Sequence, residues 1–110
     1  MSHIQDIALL KEKNKSSSLR IEAYDIAHLS EKNRVGVMVV VDGDVADTSQ
    51  YRKFNIHQDG GGDTGALKEV LRRRFKHTEW SFPSLVVVDG GKAQQNVAKK
   101  VLQEFGFQIA

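Results

Sequence analysis

Apolar residues recur along this chain in two rhythms, one of two residues and one of three to four, and the points where the rhythm changes carry most of the information. Ile4, Ile7, Ala8 and Leu10 keep helical spacing and predict a helix over residues 2–13, with the serines at 16–18 as a linker. From Leu19 the period becomes two. Leu19, Ile21 and Ala23 share one face, Arg20, Glu22 and Tyr24 the other, and the strand is predicted to end on Asp25. Asp25 therefore falls on the apolar face. A carboxylate extending a buried apolar face is costly unless it is paired, hydrogen-bonded or bound to a metal, which marks Asp25 as a candidate functional group.

Residues 34–41, Arg-Val-Gly-Val-Met-Val-Val-Val, are apolar on both faces, as expected of a central strand in a covered sheet. Asp42-Gly43-Asp44 is a hairpin signal, so the strand predicted at residues 50–56 should run antiparallel to it and complete a three-strand meander. A Gly60-Gly61-Gly62 loop follows, with Asp63 as the predicted N-cap of a helix. That helix carries Ala66, Leu67, Val70, Leu71 and Phe75 on its apolar stripe, and Lys68, Glu69, Arg72 and Arg73 opposite. Leu85-Val86-Val87-Val88 then reads as a buried strand stopping on Asp89-Gly90-Gly91-Lys92, before a final helix that turns Val97, Val101, Leu102 and Phe105 inward and ends at Gly106. Phe107 to Ala110 resemble the first residues of a further strand.

A helical crossover joins parallel strands, so the Leu85 strand is predicted parallel to the third strand and hence to the first. Asp25 and Asp89 then meet at one sheet edge. The expected class is α/β: a mixed sheet built from an antiparallel meander plus a parallel strand, with flanking helices. The expected organisation is a helix and linker over residues 1–18 and one domain over residues 19–110, truncated at its C-terminal end.

Composition narrows this only a little. The chain has 110 residues, 40% of them hydrophobic and 27% charged, enough for one compact domain. It has no cysteine, which removes disulfides, thiolate metal sites and thiol nucleophiles, and fits a reducing cytoplasm. No apolar run reaches the roughly 18 residues that span a bilayer, so no membrane partner is expected. The net charge of +2 is mildly basic, and its clustering matters more than its total. Arg72-Arg73-Arg74 with Lys76 forms one block, Lys99-Lys100 another, and Lys11, Lys13 and Lys15 a third; each can equally be a solvated face.

Two aspartates on adjacent strand ends are close enough to share a hard cation, and Mg²⁺ or Mn²⁺ would relieve their mutual repulsion. Such ions support phosphodiester hydrolysis, with Asp63 as a possible third carboxylate from the helix start. The plainer alternatives are that Asp89 is a turn residue and Asp63 simply a cap. Gly90-Gly91-Lys92 lacks the spacing of a phosphate-binding P-loop. Asp42, Asp44 and Asp47 fail as a calcium loop, because Lys53 stands where the bidentate glutamate belongs. His3, His28, His57 and His77 show no metal-pair spacing, and only His28 lies near the proposed site.

Four segments in register carry a family resemblance: Glu22-Ala23-Tyr24-Asp25-Ile26-Ala27-His28, Tyr51-Arg52-Lys53-Phe54, Gly62-Asp63 with Glu69 through Phe75, and Val88-Asp89-Gly90-Gly91-Lys92-Ala93-Gln94. From about Ile4 to the end the chain resembles the C-terminal endonuclease domain of UvrC, the nuclease subunit of bacterial nucleotide excision repair. The resemblance implies a ribonuclease H-like fold and a Mg²⁺- or Mn²⁺-dependent incision on the 5′ side of lesions in double-stranded DNA. It implies that Asp25 and Asp89 are the catalytic, metal-holding aspartates and that Asp63 is a further catalytic acid. Lys92, Arg52 and Lys53 fall on motifs that support the site or the DNA path, and Arg72, Arg73 and Arg74 form a candidate DNA-binding face. The family completes its site with a histidine from a later element and contacts the UvrB–DNA complex through other segments. This stretch is accordingly expected to be an excerpt, inactive alone. Ala27 and Ala93 replace the family's usual serine and glycine. The alternative expectation is a catalytically incomplete module of the same fold that binds DNA or a protein partner through the arginine face.

Overall fold

The computed structural model describes residues 19–57 and 60–107. The helix predicted over residues 2–13, the serine linker and residues 108–110 lie outside the described residues. The first strand, β1 (Arg20–His28), is hydrogen-bonded on one side to β2 (Arg34–Asp42), antiparallel, with Asp25 opposite Val37 and His28 opposite Arg34. On its other side β1 pairs with β5 (Leu85–Val88), parallel, from Ile21 opposite Leu85 to Tyr24 opposite Val88. The outer edge of β2 carries two short antiparallel partners, β3 (Val45–Ala46) and β4 (Arg52–Asn55). The sheet is thus mixed, as the patterning predicts, and β5 is parallel to β1.

The meander departs from expectation in one place. Gly43, at φ 66°, turns the chain into β3 rather than directly into the longer strand. Asp47 then accepts from the Ser49 amide at 3.1 Å and caps a short 3-10 turn over Thr48–Gln50, so the regular pairing begins only at Arg52. A local Asx turn competes here with the ladder and wins over the strand pattern.

Two helices cover one face of the sheet. In α1 (Gly62–Phe75) the buried residues are Ala66, Leu67, Val70, Leu71 and Phe75, the predicted stripe, together with Arg74. In α2 (Lys92–Glu104) they are Ala98, Val101 and Leu102, with Val97 and Phe105 partly buried against the same core. These side chains pack with Tyr24, Met38, Val40, Phe54 and Val88 from the sheet. Burying each of the larger ones contributes about 1.5–3 kcal/mol. The approach of α1 to β2 is close enough that a Cβ on Gly36 would lie 2.2 Å from Val70 Cγ2, so only glycine fits there. α2 ends as predicted: Gly106 adopts φ 78°, its N–H donates to Gln103 O at 3.0 Å, and the Phe107 N–H donates to Leu102 O at 2.8 Å. These paired bonds close a Schellman motif.

The two faces of β1 are the reverse of what alternation suggests. Glu22 and Tyr24, expected on the polar side, point under the helices and are buried, while Leu19 and Ile21 form a second buried cluster with Leu85 on the opposite face. The reason lies in α1. Arg74 reaches Glu22 from the helix and makes a carboxylate tolerable inside the main core. The burial argument applied to Asp25 therefore belongs to Glu22, because Asp25 is exposed.

Candidate active site

β1 runs three residues past Asp25, since its hairpin with β2 continues to His28, whereas its pairing with β5 stops at Val88. Asp25 is thus inside the strand rather than at its end, a correction that changes the geometry usefully. Where β1 outruns β5, one side of β1 loses its partner and a cleft opens. The Asp89 N–H donates to Tyr24 O at 3.3 Å, the last bond of the Tyr24–Val88 pairing, and the chain turns away from β1 directly after it.

The cleft has a volume of about 120 Å³ and is lined by Asp25, Asp63 and Asp89, with Tyr24, Ile26 and Leu67 as its apolar part. It is smaller than the roughly 300–1,000 Å³ of a typical organic-ligand pocket. A hydrated ion and one edge of a larger substrate suit it better than an enclosed nucleotide. Gly90 and Gln94 complete the wall. Gly90 has φ 122°, and a Cβ there would stand 2.7 Å from Gln94 Cδ. Gln94 Oε1 in turn accepts from the Gly91 N–H at 3.0 Å. The glycine pair therefore shapes the turn that presents Asp89 and seats the start of α2.

Asp63 is not the N-cap of α1. Gly61 takes that position in a left-handed conformation, and Asp63 lies in the first turn. Its carboxylate meets His28 instead, whose Nε2 is 2.9 Å from Asp63 Oδ1. Asp25 Oδ1 accepts from the Ile26 N–H at 2.9 Å.

Among the described residues no three His, Cys, Asp or Glu side chains converge into a ready-made metal cluster. The donor set nonetheless fits a hard cation, because Mg²⁺ is commonly held by one or two carboxylates and completes its shell with water and phosphate oxygens. Asp25 and Asp89, exposed at an open cleft, leave room for both.

The basic residues separate. Arg74 is 1% exposed and belongs to the core, so the arginine block is not one continuous face. Arg72 makes a two-pronged pair with Glu104, at 3.1 and 2.6 Å, and Arg73 donates to Asn55 O and approaches Glu69 at 3.5 Å. Arg52 donates to Ser49 O and Tyr51 O at 3.1 and 2.9 Å and lies over the Trp80 ring. Lys53 and Lys92 are exposed, Lys92 as the first residue of α2 beside the Asp89 turn.

Beneath the cleft, Glu22 is an acceptor for four donors: Arg74 Nε and Nη2, both at 2.7 Å, Arg20 Nε at 2.9 Å and Tyr24 Oη at 2.5 Å. Burial pushes the Glu22 carboxyl up, but the Arg74, Tyr24 and Arg20 hydrogen bonds and the Arg74 charge outweigh it and hold the group below its ordinary value. Tyr24 is pushed well above its ordinary value, first by burial and then by the neighbouring Glu22 charge. This network was missed in the sequence, although one signal was present. Arg74 keeps helical spacing with Leu67, Val70 and Leu71, so it falls on the buried stripe.

Residues 9–110 match the UvrC RNase H endonuclease domain. The chain belongs to that family. Among curated relatives, the UvrABC system protein C of Bdellovibrio bacteriovorus is 43% identical over 88 residues, an alignment covering 79% of this chain and 14% of that protein. The UvrABC system protein C of Clostridium perfringens strain SM101 is 39% identical over 109 residues, covering 82% of this chain and 18% of that protein. The UvrC-type chain thus spans less than a fifth of the length of these relatives. Human ENDOV aligns structurally with a TM-score of 0.42 and 14% identity, over 80% of this chain and 46% of that one. Within this UvrC-type endonuclease module the described helices include none long and apolar enough to cross a membrane.

Proposed function

We propose that this module cuts one strand of damaged double-stranded DNA on the 5′ side of a lesion, as part of a UvrABC-type repair system in the cytoplasm. The observation that carries the reading is the meeting of Asp25, Asp63 and Asp89 in one cleft from three separate elements of a UvrC-family fold. Asp25 and Asp89 would hold Mg²⁺ or Mn²⁺, which supplies charge neutralisation at the scissile phosphate and a more acidic bound water. The chain's own contribution is positional. β1 and the turn that follows β5 each carry a carboxylate one residue past the Tyr24–Val88 pair, and α1 brings the third across the apolar floor of Tyr24, Ile26 and Leu67. Lys92 and Lys53, both exposed, offer phosphate contacts along the DNA backbone. Damaged DNA held by UvrB is the expected partner, contacted through the remainder of a full-length protein.

The reading as a binding module through Arg72–Arg74 loses support from the same geometry, since Arg74 is buried and Arg72 and Arg73 are engaged within the fold. The deciding experiment is Mn²⁺ titration followed by NMR. Signals of residues around Asp25 and Asp89 should broaden at substoichiometric Mn²⁺, and Asp25→Asn should abolish the effect. Broadening that survives the substitution, or a lesion-dependent 5′ nick that survives it, refutes the assignment.

A further inference from the structure

Asp63 follows three consecutive glycines in the left-handed region. Gly60, Gly61 and Gly62 have φ of 75°, 72° and 60°, and a Cβ on Gly60 or Gly62 would meet nothing within 4 Å. The glycines themselves therefore do not anchor the start of α1. Two polar contacts from the far end of the β1–β2 hairpin do. His28 and Arg34 are cross-strand partners in that hairpin. Arg34 Nη1 donates to Gly62 O at 2.8 Å and Nη2 to Gly60 O at 3.3 Å, gripping the main chain on both sides of the N-cap. His28 Nε2 meets the Asp63 carboxylate itself.

We infer that His28 and Arg34 are positioning residues that set the Asp63 carboxylate over the cleft. Asp63 lines the cleft and His28 does not, and the side-chain contact of His28 with a cleft residue is the one to Asp63. The pair ties the carboxylate from the helix to the strand that carries Asp25, three residues away in sequence from His28. A side chain half exposed on a glycine-led first turn would otherwise sample several rotamers, and a hydrogen bond at Oδ1 selects one. Arg34 removes the main-chain freedom that the three glycines introduce, and His28 removes the side-chain freedom that remains. The geometry stands on its own; its relevance to catalysis rests on the nuclease reading above.

The test is the χ1 rotamer of Asp63, read from three-bond NMR couplings in this chain. The native sequence should show one rotamer. His28→Ala should give averaged couplings, and His28→Gln, whose amide can donate to the same oxygen, should restore them. Arg34→Met should also give averaging. Should His28→Ala fold poorly, as thermal unfolding would reveal, His28→Gln and Arg34→Met still decide the matter. An unaveraged rotamer in Arg34→Met and His28→Ala, or an averaged one in the native chain, overturns the inference. Mn²⁺ broadening separates this outcome from the fate of the nuclease reading. In His28→Ala the broadening around the cleft, at Asp25 and Asp89, should persist. Lack of broadening at Asp25 and Asp89 in the native chain counts against the nuclease reading and leaves the rotamer result standing.

Discussion

Arg74 Nη2 lies 2.7 Å from Glu22 Oε2, and both side chains are essentially sealed from solvent, at 1% and 0% exposed. The pair joins the last turn of α1 to the strand that carries Asp25. Arg74 also donates to His77 O and Ser81 O, so the segment leading to β5 is held by the same guanidinium. Among the described residues no buried side-chain polar atom is left without a partner. Removing one member should therefore strand the other. Arg74→Met is expected to cost about 3–5 kcal/mol, because it leaves a buried carboxylate with reduced compensation. Urea unfolding of Arg74→Met, Glu22→Gln and the double variant measures it. A double variant that loses as much as the sum of the singles would show that the two groups are not coupled.

The same network makes stability depend on pH in a stated direction. The Glu22 carboxyl is held below its ordinary value of 4.5, so the folded state binds its proton less readily than the unfolded chain. The stability it contributes is fully present above about pH 4.5 and is lost as the pH falls through the lower folded value. Tyr24 acts at the other end. Its hydroxyl is held above the ordinary 10, so stability should decline as the pH rises past that value, where the unfolded chain ionises first. Chemical denaturation across pH 2.5–6 checks the acid limb as an order-of-magnitude window. In Glu22→Gln that limb should become shallower; an identical acid limb would place the titration elsewhere.

Gly36→Ala should be destabilising although alanine suits a strand no worse than glycine. The new methyl carbon would sit 2.2 Å from Val70 Cγ2, so α1 must move away from β2 or Val70 must change rotamer. A cost of about 1–3 kcal/mol is expected from overpacking. Adding Val70→Ala relieves the clash at the expense of a small cavity, so the double variant should be less destabilised than the two single effects added together. Thermal or urea unfolding of the three variants reads this directly.

Gly90→Ala tests how the Asp89 turn is made. At φ 122° a Cβ is strained, and it would also press on Gln94, whose side chain accepts from the Gly91 amide. The expected outcome is loss of about 1–3 kcal/mol from the strained backbone together with weaker Mn²⁺ broadening around Asp89. Gln94→Ala should weaken the broadening less, since it removes one hydrogen bond and leaves the turn unstrained. Equal broadening in Gly90→Ala and the native chain would show that the turn does not govern the cleft.

Most of the architecture was present in local pattern. The period-two run at Leu19–Asp25, the apolar run of β2, the apolar stripe from Ala66 to Phe75 and the Gly106 stop each express a short-range rule, and each led to the observed element. The parallel pairing of β1 with β5 followed from connectivity, and with it the presence of Asp25 and Asp89 in one cleft. What the pattern could not assign was which face of β1 the helices would cover. Glu22 and Tyr24 alternate like surface residues, and their burial is compensated above all by Arg74, which arrives from 52 positions away. Likewise, Asp63 before a helix reads as a cap until His28 is seen across the hairpin end, 35 positions earlier. Local periodicity determined the elements because backbone geometry repeats within a few residues. Tertiary structure decided the environments of Glu22 and Asp63 because charge compensation depends on which distant side chains the fold brings within hydrogen-bond reach.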